Sequence, residues 1–475
     1  MTTRCSGEEK ERLMRLGVLS RRVADNSMNC NMILEHTTPL VERGTALSTR
    51  DSWPGWLRLV NLFVRVVLAA TVLASTAEAQ TAYTWQQIKD RFEAANPTLK
   101  ADAINVQETK AQEITAYLRP NPSISFLADQ LYPFYSNPYY RPFTNALVVG
   151  TISYLHERQH KRELRLQSAQ EGTQIASDLH HDLERTLLFT LRSAFVQTLQ
   201  AKAVVDLSRQ QLAYYDNIIS ISRERFKAGD LAQVDLDRIE LQRVQYESDL
   251  QTAEVSLRTA KIQLLQLLND KTPVDQFDVQ GPFDYSDQLQ PLDTFRQVAL
   301  DNRPDLKAAL ESVQQANTNH KLAVANGSTD PTFSVDAGRN TPPITEPYVG
   351  VGVSIPLRVF DRNQGEKLRT QLDIGRNQEL TEAARAGVFS DVDSAYAMVN
   401  SHLILLRSYK AQYLSQALRV REIITFSYQH GGASLLDFLN AQSDYRTVEL
   451  AYLQLIGSYL TAAAQLNLAV GREVI

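Results

Sequence analysis

The sequence predicts a mainly α chain with a membrane β-barrel part: two long antiparallel helical hairpins and four short strands, arranged as two internal repeats. Proline is the first sign. Beyond residue 79 it occurs only between Pro97 and Pro142 and between Pro273 and Pro356, leaving 143–272 and 357–475 without it. An internal proline costs a helix about 3 kcal/mol, so proline-free blocks of this length, rich in Ala, Leu, Gln, Arg and Glu, read as long helices. The second sign is four segments that alternate with period two. The third is recurrence: Asn96-Pro97-x-Leu99-Lys100 answers Arg303-Pro304-x-Leu306-Lys307 after 207 residues, while Gly150, Gly229 and Asp235 answer Gly352, Gly431 and Asp437 after 202. A near-constant offset means that one unit occurs twice.

Residues 1–79 read as a leader. Arg58 and Arg65 precede an apolar run from Val66 to Ala74, followed by Ser75-Thr76-Ala77-Glu78-Ala79. The run is shorter than the roughly 20 apolar residues of a spanning helix, and Ala77-x-Ala79 has the small-residue form of a signal-peptidase site. Export with cleavage after Ala79 is expected, and the polar stretch before the run suggests an over-extended gene start. Both cysteines, Cys5 and Cys30, fall in this leader, so the exported chain is expected to carry no disulfide and no lipid-accepting cysteine. Loss of its 10 Lys/Arg and 8 Asp/Glu takes the formal charge from −5 to −7. That balance argues against nucleic acid as a partner.

The first repeat is expected over 80–287, with strands near 123–131 and 146–154. Tyr132, Phe134, Tyr135, Tyr139, Tyr140 and Phe143 crowd the connection between them, as interfacial aromatics do. A hairpin is expected over 158–268. Leu183, Leu187, Leu191, Phe195 and Leu199 form a four-residue stripe on its first helix. From Arg158 to Ala228 that helix would extend on the order of 100 Å, too long for a compact globule. Gly229 supplies the left-handed C-cap at which the chain turns back.

The second repeat is expected over 288–475, with strands near 331–338 and 348–356 and a hairpin over 362–470 whose tip is at 431. Val349-Gly350-Val351-Gly352-Val353-Ser354-Ile355 is the clearest strand, with branched apolar side chains on one face and Gly or Ser on the other. Apolar-out, small-or-polar-in alternation is the pattern of membrane barrel strands. Four strands cannot close a barrel when the smallest membrane barrels need eight, and an open edge in lipid leaves backbone groups unsatisfied. Several copies must share one barrel.

The two turns, Phe226-Lys227-Ala228-Gly229 with Asp235 and Glu240, and Tyr428-Gln429-His430-Gly431 with Asp437 and Gln442, resemble those of the TolC-type outer-membrane efflux family, over residues 84–470. Ser354-Ile355-Pro356-Leu357 and Asp361-Arg362-Asn363-Gln364-Gly365 are similar to its cobalt-zinc-cadmium resistance branch. The resemblance implies a homotrimer with a twelve-stranded barrel in outer-membrane lipid and a helical tunnel through the periplasm. It implies a passive conduit without cofactor, served by a periplasmic adaptor (membrane fusion) protein and an inner-membrane pump of the resistance-nodulation-division type. It places adaptor contact at the hairpin tips, Phe226, Gly229, Asp230 and Leu231 with Tyr428, Gly431 and Gly432. It also makes Glu422, nine residues before Gly431, a candidate for an acidic aperture ring. Many members of this branch are lipoproteins, whereas no cysteine follows this signal sequence, so anchoring would rest on the barrel.

Other readings were weighed. His156-Glu157-Arg158-Gln159-His160 matches the pattern of two histidines one helical turn apart that bind zinc. It lies where strand passes to helix, without a third ligand nearby, and reads as a bend. His180 and His181 point about 100° apart on a helix and read as surface residues. Beyond the leader there is one methionine, Met398, and no cysteine, so no chain of soft ligands for Cu(I) is expected. No nucleotide loop, nucleophile elbow or paired catalytic carboxylates stand out, and no enzymatic activity is expected. A type I protein-secretion or general drug duct shares the same architecture. A periplasmic adaptor or scaffold would carry one hairpin rather than two.

Overall fold

The structure is a computed structural model that describes residues 81–131, 143, 146–342 and 345–474. The leader and Tyr132, Phe134, Tyr135, Tyr139 and Tyr140 lie outside the described residues. Phe143 is exposed.

Two halves follow one another with the same order of elements. The first runs β1 (Thr81–Tyr83), α1 (Trp85–Ala95), α2 (Pro97–Tyr117), β2 (Ser123–Asp129), β3 (Leu147–Leu155), α3 (Lys161–Ala228) and α4 (Gln233–Leu267). The second runs β4 (Phe277–Val279), α5 (Leu292–Asn302), α6 (Pro304–Asn326), β5 (Thr332–Asn340), β6 (Pro347–Ser354), α7 (Gln364–Ser408), a π segment (Tyr409–Tyr413), α8 (Leu414–Gln429) and α9 (Leu435–Val470). The four helices α1, α2, α5 and α6 were not expected from the proline-containing stretches. Pro97 and Pro304 each stand at the first turn of a helix, where the missing N–H is not needed. The short parallel pair β1–β4 was not expected either.

β2, β3, β5 and β6 form one antiparallel sheet in that order. Its register aligns Ile124, Ile152, Val335 and Val351 across all four strands, flanked by Tyr154, Phe333 and Val353. The opposite face aligns Ser125, Thr151, Asp336 and Gly350, then Ser123, Ser153, Ser334 and Gly352. The apolar face is bare: Val351 is 85% exposed and Phe126 82%. β2 and β6 each have an unpaired edge.

The helices bury three cores. Leu191, Phe195 and Leu199 of the sequence stripe pack with Ile88, Phe92, Leu264 and Phe277 where α1 and β4 cover α3 and α4. Val388, Val392, Val399 and Leu403 pack with Phe295, Tyr459 and Leu466 where α5 covers α7 and α9. The third core lies near the hairpin tips. No described helix is long and apolar enough to cross a membrane.

Candidate functional site at the hairpin tips

Each tip is made by a glycine that does what other residues resist. Gly229 has φ 85°, its N–H donating to Phe226 O at 3.0 Å while Asp230 N–H donates to Arg225 O at 2.9 Å. Gly431 has φ 77° and donates to Tyr428 O at 3.2 Å, and Gly432 N–H reaches Ser427 O at 2.8 Å. Both satisfy carbonyls that a helix end leaves open. The restart differs between halves. Ser434 caps α9 in a reciprocal box with Asp437, whose carboxyl is held below its usual value by the Ser434 hydroxyl and N–H. Ala232 gives α4 no such side-chain bond.

Behind the tips, Tyr215, Ile218 and Ile219 of α3, Ile239 and Tyr246 of α4, Tyr428 of α8, and Leu435 and Phe438 of α9 form one buried cluster. Tyr428 stacks on Phe438 at 4.8 Å and Tyr215 packs on Tyr246 at 4.7 Å. Burial pushes the Tyr215 and Tyr428 phenols up, and neither hydroxyl has a hydrogen-bond partner among the described residues. The structure therefore brings the tip-proximal parts of both hairpins together. Phe226 and Glu422 face solvent, Leu231 is half-buried, and Tyr428 is core.

Polar ties cross between the hairpins. Arg225 Nη1 donates to Tyr428 O at 3.1 Å, with its guanidinium 5.4 Å from that ring. Arg421 of α8 lies 4.9 Å from the Tyr214 ring of α3 and 3.9 Å from the Tyr445 ring of α9. Gln442 donates to Thr425 at 3.1 Å and Tyr214 to the same hydroxyl at 3.4 Å. Arg446 pairs with Asp249. The Tyr445 phenol is pushed up to about 12, first by burial, then by its hydrogen bond to Glu449 and the charge of that carboxylate, with a smaller contribution from Glu422. Tyr214, Arg421, Gln442, Tyr445, Arg446 and Glu449 line a cleft of about 230 Å³. Sequence reasoning missed Arg225, Arg421, Tyr214 and Tyr445. Their one visible signal is an excess of tyrosine on helices otherwise rich in Gln, Ser and Glu.

The histidine motifs resolve differently. Residues 156–160 precede α3 rather than sit on it: His160 has φ 55°, and Glu157 is bound by Arg165 at 2.8 Å. The helical geometry that zinc ligation needs is not formed. His180 is no free surface residue, since its Nδ1 lies 2.8 Å from Asp102 Oδ2 and ties α2 to α3.

Residues 295–472 match the family described as outer membrane efflux protein. The chain is 23% identical over 379 residues to the cobalt-zinc-cadmium resistance protein CzcC of Cupriavidus metallidurans, covering 80% of this chain and 87% of that one. It is 22% identical over 300 residues to the outer membrane protein TolC of Escherichia coli, covering 59% and 60%. Among solved structures it is similar to CusC (TM-score 0.69, 16% identity, 82% of this chain and 92% of that one). It is also similar to the outer membrane protein VceC of Vibrio cholerae (TM-score 0.66, 14% identity, 82% and 96%). With its four membrane-type strands and paired hairpins, the chain has the fold of the outer-membrane efflux channels, and its second half, residues 295–472, carries the match to the outer membrane efflux protein family.

Proposed function

We propose that three copies of this chain form one duct, with twelve strands in the outer membrane and two hairpins per copy in the periplasm, exporting heavy-metal cations delivered by a resistance-nodulation-division pump through a periplasmic adaptor. The observation that carries the assembly is an unpartnered seam on α4. Val234, Leu241, Val255 and Ile262 are exposed, Leu241 by 71%, and fall at seven-residue spacing with Ser248 at the one polar position between them, on the side away from the buried Ile239, Tyr246 and Ala253. Seven-residue apolar spacing is what one helix offers another. The open edges of β2 and β6 need partners in lipid for the same reason. Metal cations as cargo rest on the similarity to CzcC over 87% of its length.

The tips would meet the adaptor through Phe226, Gly229, Asp230, Leu231, Gly431 and Gly432, with Tyr428 buried behind them, and would form the aperture. Two buried hydroxyls without partners cost about 1–3 kcal/mol each, so the packing behind the tips is one the protein can leave. Glu422, exposed on α8, would contribute an acidic ring to that aperture. The deciding experiment is heat-modifiable gel migration with native mass on outer-membrane fractions. A heat-sensitive species of three protomers is expected; a soluble periplasmic monomer would overturn the duct.

A further inference from the structure

On α7, Asp393 is bound by Arg296 of α5 and Arg407 by Asp287, fixing the face of the helix that the α5 layer covers. Met398 and His402 lie on roughly the opposite side. Together with Gln200 of α3 they line a groove of about 540 Å³ that crosses α9. In the trimeric duct proposed above, we assign this side to the lumen.

The donors along the groove divide into engaged and free. Asp391 is held by Arg303 at 2.8 Å, and the Thr461 hydroxyl by Gly457 O at 2.9 Å. His402, Met398 and Gln200 make no hydrogen bond among the described residues. The Gln200 amide lies so close to Gly457 that a Cβ there would stand 2.0 Å from Oε1, so the missing side chain of α9 is what holds this oxygen in the groove floor. His402 Nδ1 is shut off from solvent without a partner, and the residue lines the groove. Met398 is 55% exposed. It stands one turn, about 6 Å, from His402 on the same helix face, the separation at which two side chains reach one ion.

We propose that His402 Nε2, Met398 Sδ and Gln200 Oε1 form a docking station for a soft-to-borderline divalent metal cation in transit, one per chain. The inference rests on the conduit reading above. Imidazole suits borderline cations and thioether suits soft ones, a combination that disfavours Mg²⁺ and Ca²⁺. Ligation by Nε2 leaves the ring proton on Nδ1, where no acceptor stands to fix the ring as second-shell partners usually do. Binding is therefore weak, as a conduit requires of any site a passing ion must leave. This is a single station per chain, not a path of soft ligands.

The test uses the purified, metal-stripped oligomer in detergent, with Cd²⁺ alone as probe, followed by equilibrium dialysis and cadmium NMR. One Cd²⁺ per chain is expected, with a resonance displaced toward sulfur ligation. His402→Gln should weaken binding at least about tenfold. Met398→Leu should keep the ion but lose the sulfur displacement, and His180→Gln should change nothing. Absence of binding, or binding indifferent to both His402→Gln and Met398→Leu, would overturn the station. Conductance of the same preparation in planar bilayers tests the conduit separately. A conducting oligomer that does not bind Cd²⁺ sinks the station alone, whereas a preparation that binds it without conducting supports the site and overturns the duct.

Discussion

Arg421 does at the level of one side chain what the tips do as a whole: it joins α8 to both α3 and α9. Its guanidinium stands near the Tyr214 and Tyr445 rings, and such contacts contribute about 0.5–2 kcal/mol each according to how dry they are. Arg421→Ala should loosen the second hairpin from the first and raise single-channel conductance in planar bilayers, with the helix content of circular dichroism unchanged; equal conductance would remove Arg421 from the aperture. Glu422→Lys should lower cation selectivity in the same recording if the acidic ring exists. Deeper in the protomer, Arg303 binds Asp305 through two hydrogen bonds of 3.0 and 2.6 Å. Burial alone would raise the Asp305 carboxyl, but the Arg303 hydrogen bonds and the charges of Arg303 and Arg185 outweigh it and hold the group below its usual value. A depressed carboxyl stabilises the fold fully above its unfolded value near 3.9 and ceases to do so as pH falls through the folded one. Asp305→Asn should therefore cost about 1–2 kcal/mol at pH 7, and thermal melts should converge with wild type as pH drops below about 4. Neither the Arg421 contacts nor the Arg303–Asp305 pair was legible in sequence. Tyr214, Arg421 and Tyr445 lie on three different helices, and a local pattern cannot show that folding brings them together.

At the scale of elements, the tip glycines were legible because a positive φ leaves few choices, whereas α2 and α6 were hidden by the prolines of their own first turns and α5 by Pro291 just before it. Proline punctuates a chain without saying which side of it is helical. The duplication also conceals divergence. Asn96 caps α2 with its side-chain oxygen on Thr98 and Leu99 N–H, whereas Arg303 at the answering position of α6 reaches Asp305 and Asp391 instead. The π segment Tyr409–Tyr413 between α7 and α8 had no sequence signal, since it adds one residue to a turn without changing composition. Gly229 and Gly375 allow a paired test. A Cβ at either meets nothing within 4 Å, so only the backbone distinguishes them. Gly229→Ala places a side chain in the left-handed region and should destabilise by about 1 kcal/mol. Gly375→Ala, within α7, should stabilise by about 0.5–1 kcal/mol. Thermal unfolding of the detergent-solubilised oligomer, followed by circular dichroism, would separate them, and shifts of the same sign would show that tip geometry does not limit stability.

For the molecule as a whole, the protomer is unfinished along both of its parts. The sheet ends in unpaired strands with a bare apolar face, and the hairpins end in α4, whose outer stripe of Val234, Leu241, Val255 and Ile262 is exposed. The strand half of this conclusion was legible from counting alone, because four strands cannot close. The helical half was not, since the two stripes of α4 share one sequence and only the fold decides which one the core takes. If the outer stripe is a seam between copies, a charge in it should block assembly without unfolding the chain. Leu241→Glu buries a carboxylate against an apolar partner in the oligomer but leaves it in water in the monomer, so its penalty falls on association. Native mass in detergent should shift from three protomers toward one while circular dichroism keeps the helical signal. Glu254→Gln, at an exposed charge paired with Arg209 on α3, should leave the mass unchanged. A Leu241→Glu variant that stays fully trimeric would place the contact between copies elsewhere, on the sheet edges alone, and would leave the stripe on α4 for the adaptor.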